Sequence, residues 1–281
     1  MRGATSPVHN AATSAARRML LLLPLLVLSA RTVDYLAEKR IAVRVSTAIL
    51  AIVTLCAPPF LPKPPMKTHH DRVLLTLFYL GAFLVYYLIT LAINWFPNYA
   101  ALQEKGLLVP VLCLFEFAVL WPLYRFYQQR RGDMPLGRLQ PAVTLLFSAL
   151  LLGLMVLQTQ FLQPERWLED QARQTLFSLW ILLFSAVLLA PVFEEILFRG
   201  FLLQAFLLWA PRSRFACMLL TSLLFAAMHT QYVHWQTLAV LTLFSLLLCY
   251  ARLRANSLLL PIFLHMLNNL IALLPSLLPL W

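Results

Sequence analysis

Charge is scarce in this chain. Charged residues make up 12% of its 281 residues, against about 25% in soluble domains. Its 11 acids are outnumbered by 22 lysines and arginines. That excludes an ordinary soluble domain. Paired cysteines are also missing: Cys56, Cys113, Cys217 and Cys249 each stand alone in or beside an apolar run, with no C-x-x-C. A disulfide framework and a cysteine-rich metal site are therefore not expected, and the four read as small apolar packing residues. No H-E-x-x-H is present, so the two-histidine helix of zinc peptidases is absent. No G-x-S-x-G marks a serine nucleophile. The alternating segments of about 10 residues that a membrane β-barrel needs, an internal repeat and a separate soluble domain are all lacking.

What the chain has is apolar length. Hydrophobic residues reach 61% and mean hydropathy is +0.78. Apolar runs cover residues 19–30, 41–57, 73–96, 106–124 and 141–162, then 175–191 with an amphipathic continuation to 209, and finally 215–228, 235–250 and 257–278. Lipid offers the backbone no hydrogen bonds, so continuous runs of this kind predict helices. The expected fold class is all-α, a polytopic transmembrane helix bundle of about eight or nine spans. Residues 175–209 are too long for one straight span, and Pro191 is the natural place for a kink or break.

Three regions follow along the chain. Residues 1–18 contain no acid and read as a disordered basic tail. Residues 19–139 supply N-terminal membrane helices without recognised motifs, and 140–281 form the bundle that carries the motifs. Arg17-Arg18 followed by 19–30 fits a first span, a signal peptide cleaved after Leu28-Ser29-Ala30, or, third, an organellar transit peptide. The proline-rich loop from Pro58 to Pro65 reads as a stiff spacer. Net charge is +11, which in a soluble protein would point to nucleic acid. Here it reads as topology. With loops alternating sides, 13 Lys and Arg gather on one side and 6 on the other. The N-terminus is then expected in the cytoplasm, in a multi-pass integral protein of a bacterial inner membrane that binds no nucleic acid.

Against this background the stretch Ala190-Pro-Val-Phe-Glu-Glu-Ile-Leu-Phe-Arg-Gly200 stands out. Each charge placed at bilayer depth costs roughly 2.5–3.5 kcal/mol, so Glu194, Glu195 and Arg199 need partners. Glu195 and Arg199 are i and i+4, acid first, the favourable order for a helical ion pair. Glu194 is rotated about 100° away and is left for chemistry. Later come Phe225-Ala-Ala-Met-His229, and then His265 and Asn269, one helical turn apart on a single face. At about 1.5 Å per residue from the cytoplasmic loops, His229, His265 and Glu194 come out roughly 20, 13 and 23 Å deep. Three helices thus bring polar groups to a similar level. Glu116, within Leu-Phe-Glu-Phe, is a further buried acid, expected beside a substrate path or paired with a distant Asn or Arg. His69-His70 read as solvated loop residues, His234 as solvated near the outer surface, and Asn268 as helix packing.

The ordered triple Glu194-Glu195-x-x-x-Arg199-Gly200, Phe225-x-x-x-His229 and His265-x-x-x-Asn269 resembles the motif set of the CPBP family of intramembrane proteases. That family groups type II CAAX prenyl endopeptidases with bacteriocin-processing and immunity proteins. The resemblance covers about residues 175–278. It implies an intramembrane endopeptidase that cuts a membrane-anchored, prenylated or otherwise lipidated protein or peptide near the cytoplasmic side. In it Glu194 is the base that activates water, assisted by His229. His265 and Asn269 are the oxyanion donors, and Glu195 with Arg199 is the supporting pair. Peptide hydrolysis needs just such a base, oxyanion donors and a proton for the leaving amine. The expectation is no cofactor; the alternative is zinc held by Glu194, His229 and His265. Two other functions compete: a non-catalytic bacteriocin-immunity or scaffold protein, and a small-molecule transporter, which would more often show paired repeats and broken helices in both halves.

Overall fold

The computed structural model describes residues 68–172 and 174–273. The tail, the expected spans at 19–30 and 41–57, the proline-rich loop and the C-terminal end lie outside the described residues. The described residues all fall within one compact unit. Its described elements are α1 (His69–Ala92), a short 3-10 turn (Ile93–Trp95), α2 (Tyr99–Glu104), α3 (Leu108–Arg131), α4 (Pro141–Gln158), α5 (Arg166–Ala172), α6 (Leu176–Trp209), α7 (Arg214–Ala227), α8 (Trp235–Ala255) and α9 (Leu259–Leu273). No strand is present among the described residues.

Every apolar run from residue 73 onward has become a helix. Five are long and apolar enough to cross a membrane: His69–Trp95, Leu108–Arg131, Pro141–Gln158, Leu176–Trp209 and Trp235–Ala255; α7 and α9 are apolar but shorter. Lateral faces stay apolar and exposed, as Leu74, Leu77, Leu84 and Leu88 do on α1, while Leu75, Tyr79 and Ala82 turn inward. A bundle in lipid needs this arrangement, because its outer surface meets hydrocarbon. His69 and His70 are not loop residues. They are exposed residues in the first turn of α1, whose N-cap Thr68 accepts from the Asp71 N–H at 3.1 Å.

The centre of the unit is α6. Helices α1, α3, α7, α8 and α9 all pack on some part of it. It runs unbroken for 34 residues, so of the kink or break expected at Pro191 the break does not occur. The helix instead widens on either side of the Ala190–Glu195 turn, into π-helical segments at Ser185–Leu189 and Ile196–Leu202. Within an α-helix a proline both lacks an N–H and collides with the carbonyl four residues back, at about 3 kcal/mol or more. An extra residue in the preceding turn relieves that collision without ending the helix, and such wide turns recur at functional sites.

Two close approaches fix neighbouring parts. A Cβ on Gly200 would come within 2.7 Å of Met134 Sδ, so glycine lets the α3–α4 connection lie against α6; the Tyr124 hydroxyl holds Met134 by its carbonyl at 3.0 Å. Gly137 (φ +74°) would meet Ser257 at 2.5 Å if it carried a Cβ. The same connection caps the start of α9: Leu136 accepts from the Leu259 N–H at 2.8 Å and from the Ser257 hydroxyl at 2.6 Å.

Candidate active site

The π-helical turns of α6 bring Glu194, Glu195 and Arg199 inside the bundle. Arg199 and Glu195 are fully buried and pair at 2.8 Å, Nη1 to Oε1. Nη2 of Arg199 donates to Ser245 Oγ at 2.8 Å and to its carbonyl at 3.3 Å, which ties α6 to α8. The guanidinium carbon lies 4.6 Å from the centre of the Phe225 ring, a cation–π contact that gains strength away from water. Glu195 Oε1 also meets His265 Nδ1 at 2.7 Å, which ties α6 to α9. One carboxylate oxygen thus gathers donors from two helices.

Glu194 differs. Its Oε2 is buried without a hydrogen-bond partner, 3.9 Å from His265 Nε2. Among the described residues, five buried side-chain polar atoms have no partner, and three of them are Glu194 Oε2, Glu195 Oε2 and Arg199 Nε. Buried polar atoms are nearly always satisfied, so their concentration in one motif marks a place built for something besides stability.

The ring nitrogens can be assigned from their partners. A carbonyl only accepts, so His229 Nδ1–H donates to the Phe225 carbonyl at 2.8 Å, and Nε2 of the neutral ring is left as an acceptor. His265 gives Nδ1–H to Glu195 and turns Nε2 toward Glu194. Phe225 stands between the two histidines, 4.5 Å from the His229 ring and 5.9 Å from that of His265. The F-x-x-x-H spacing therefore has a structural cause: one aromatic ring spaces two imidazoles and a guanidinium.

His229 lies two residues beyond α7, in a turn, and a residue that no motif or spacing singles out holds the chain that follows it. Glu165 is buried, and its carboxylate accepts from the Val233 N–H at 3.1 Å, the His234 N–H at 3.3 Å and the Thr237 hydroxyl at 2.5 Å. Burial pushes its carboxyl up, but these hydrogen bonds outweigh burial and hold it below the usual carboxylate range. Tyr232, from the same turn, stacks on His229 with rings 6.2 Å apart and meets Trp167 of α5 edge-on.

The remaining residues fall elsewhere. Asn269 shares the α9 face of His265, and its Nδ2 donates to the Ala186 carbonyl at 2.9 Å. Asn268 is not mere packing, since its Nδ2 donates to Asn269 Oδ1 at 3.1 Å. Glu116 is buried on α3, but its partner is neither Asn nor Arg: the Thr90 hydroxyl of α1 donates to it at 3.0 Å. Among the described residues no three His, Cys, Asp or Glu side chains group closely enough to hold a metal ion.

A lipid-facing helical bundle that hides two carboxylates, an arginine and a histidine in one interhelical cluster belongs to the class of polytopic membrane proteins with a polar site inside the bilayer. Comparison narrows the class. The family described as "Type II CAAX prenyl endopeptidase Rce1-like" matches residues 176–271, a range running from the start of α6 into α9. A protein of Escherichia coli described as an "Uncharacterized 24.3 kDa protein" is 34% identical over 181 residues, 60% of this chain and 77% of that protein. No solved structure matches. The chain belongs to the Rce1-like family and is an integral membrane protein.

Proposed function

We propose that this protein is an intramembrane endopeptidase of the CAAX-processing kind. It hydrolyses a peptide bond in a membrane-anchored, prenylated or otherwise lipidated protein, near the cytoplasmic side of a bacterial inner membrane. The observation that carries the proposal is the buried Glu194 Oε2, without a partner and 3.9 Å from His265 Nε2, beside a Glu195 whose Oε1 is held by Arg199 and His265. A carboxylate kept out of the structural pairing is free to take a proton. The expected side is supported by the 13-to-6 distribution of Lys and Arg between alternate loops, which also puts the N-terminus in the cytoplasm.

The chemistry then runs without metal. Glu194 takes a proton from water as the water oxygen bonds to the scissile carbonyl carbon, with the His229 Nε2 lone pair orienting that water. Charge collects on the former carbonyl oxygen. A protonated His265 Nε2 meets it, with the second amide hydrogen of Asn269 as a further donor; such donors lower the barrier because charge is larger in the transition state than in the substrate. Glu194 returns its proton to the nitrogen as the C–N bond breaks, leaving a carboxylate and an amine. Glu195 and Arg199 keep His265 in register.

The test compares protein termini in membranes from cells carrying the wild-type protein or Glu194→Ala. New C-termini that vanish in the variant establish the enzyme and name its substrates. Identical termini, with the variant stably present, favour a non-catalytic immunity or scaffold role. Chelator treatment of purified wild-type protein is expected to leave turnover unchanged; a loss reversed by added zinc would install the metal alternative.

A further inference from the structure

We infer that Asn269, besides offering its second amide hydrogen to the oxyanion, has a positioning role: its side-chain amide stands in for the backbone N–H that Pro191 lacks, and by doing so it fixes the turn of α6 that presents Glu194. This inference rests on Glu194 being the catalytic base.

The backbone accounting leads directly to it. Across the Ser185–Leu189 π turn the Ala190 N–H reaches back five residues, to the Ser185 carbonyl, although the Ser185 N–H still reaches only to Ile181 and Leu182. The Ala186 carbonyl is thereby denied its usual partner, residue 190. Its partner in the wider register would be residue 191, which is proline and has no N–H. A backbone carbonyl left so inside an apolar bundle needs a donor from elsewhere. The Asn269 Nδ2, from α9, supplies one at 2.9 Å. The Ala186 carbonyl, which can only accept, fixes the way the amide faces, and Asn268 donates to the Asn269 Oδ1 left on the other side.

The consequence is mechanical. Asn269 and His265 are one turn apart on α9, and they hold α6 at Ala186 and at Glu195 respectively. Pro191 and Glu194 lie between those two points. With both held, α6 can neither slide nor rotate past α9, so Glu194 keeps its approach to His265 Nε2. The proline and the asparagine are then one device, although 78 residues separate them in the sequence.

A double-mutant cycle tests this. Asn269→Ala should speed hydrogen exchange of the Ser185–Leu189 amides by about tenfold or more and lower the thermal midpoint of the purified protein. At temperatures well below that midpoint it should lower kcat with KM little changed. Pro191→Ala restores a donor to Ala186 in either helical register, from residue 190 if the turn relaxes to α or from residue 191 if it stays wide. Adding Pro191→Ala to Asn269→Ala should therefore recover most of the exchange protection and thermal midpoint, and a measurable part of the lost kcat, the share owed to the missing oxyanion donor staying lost. Strictly additive effects, or a double variant no faster than Asn269→Ala, overturn the inference. Should Asn269→Ala fail to accumulate in membranes, accumulation becomes the readout and Pro191→Ala must restore it. The exchange and stability arms need no substrate: a wild-type protein without peptidase activity would sink the proposed function, while the cycle would still decide the pairing.

Discussion

The two histidines of the site are each steadied by a carboxylate, in two different kinds of surroundings. His265 lies within the bundle, where Glu195 holds its Nδ1 and is itself held by Arg199. His229 lies in a turn beyond α7, where Glu165 holds the following backbone through two N–H groups and the Thr237 hydroxyl. Deep in the bundle the carboxylate answers a charge, since an uncompensated guanidinium there would be expensive. At Val233 and His234 the chain is not helical, and the carboxylate answers their backbone N–H groups. The inner region sets where charge can sit. The turn sets where a ring can stand. Only Glu194 belongs to neither arrangement.

Breaking these arrangements separately should give graded effects. The largest falls on Glu194 itself: Glu194→Gln keeps the shape, removes the base and should reduce turnover roughly 10²–10⁴-fold with an unchanged thermal midpoint. Activity near wild type would remove Glu194 from the mechanism. Next is Arg199→Met, which strands Glu195 and should cost about 3–5 kcal/mol of stability. Combining it with Glu195→Gln should return much of that stability but not activity, because the firm anchor of His265 is gone. If the single and double variants unfold alike, the ion pair is not what holds α6 in place.

The smallest effect is expected at the turn. Glu165→Gln should loosen residues 228–234, read as faster proteolysis or exchange there, and lower turnover less than Glu194→Gln does. Its pH dependence has a definite sign. The Glu165 carboxyl is held below its ordinary range, so its contribution is complete above about pH 4.3, the ordinary glutamate value, and is lost as pH falls through the folded-state value. Wild-type thermal stability should decline along that acid limb, and Glu165→Gln should lack this component. Parallel acid limbs in the two proteins would mean that the Glu165 hydrogen bonds add nothing.

Much of the described fold could be read directly. Seven apolar runs became seven helices, because in lipid a continuous apolar run has almost no other way to satisfy its backbone. The Glu195–Arg199 pair was legible from its i, i+4 spacing, and the shared face of His265 and Asn269 from the same geometry. The role of Glu165 was not legible: its partners lie 68 to 72 residues away, and two of them are backbone groups with no side-chain signature. At Pro191, the place expected for a kink or break, the helix continues with wide turns on either side, which apolar periodicity does not signal.

The amino-acid order by itself therefore determined which segments are helical, which charges share a helical face and which motif set the chain carries. These follow from local periodicity and from the price of charge in hydrocarbon. Tertiary structure alone decided that Phe225 spaces the two imidazoles, that Glu165 holds the turn after His229, that Asn269 reaches Ala186 and that Glu194 stands apart with an unpaired oxygen. The physical reason is common to all four. Each depends on a register shift or a contact between distant segments, and local sequence spacing encodes neither.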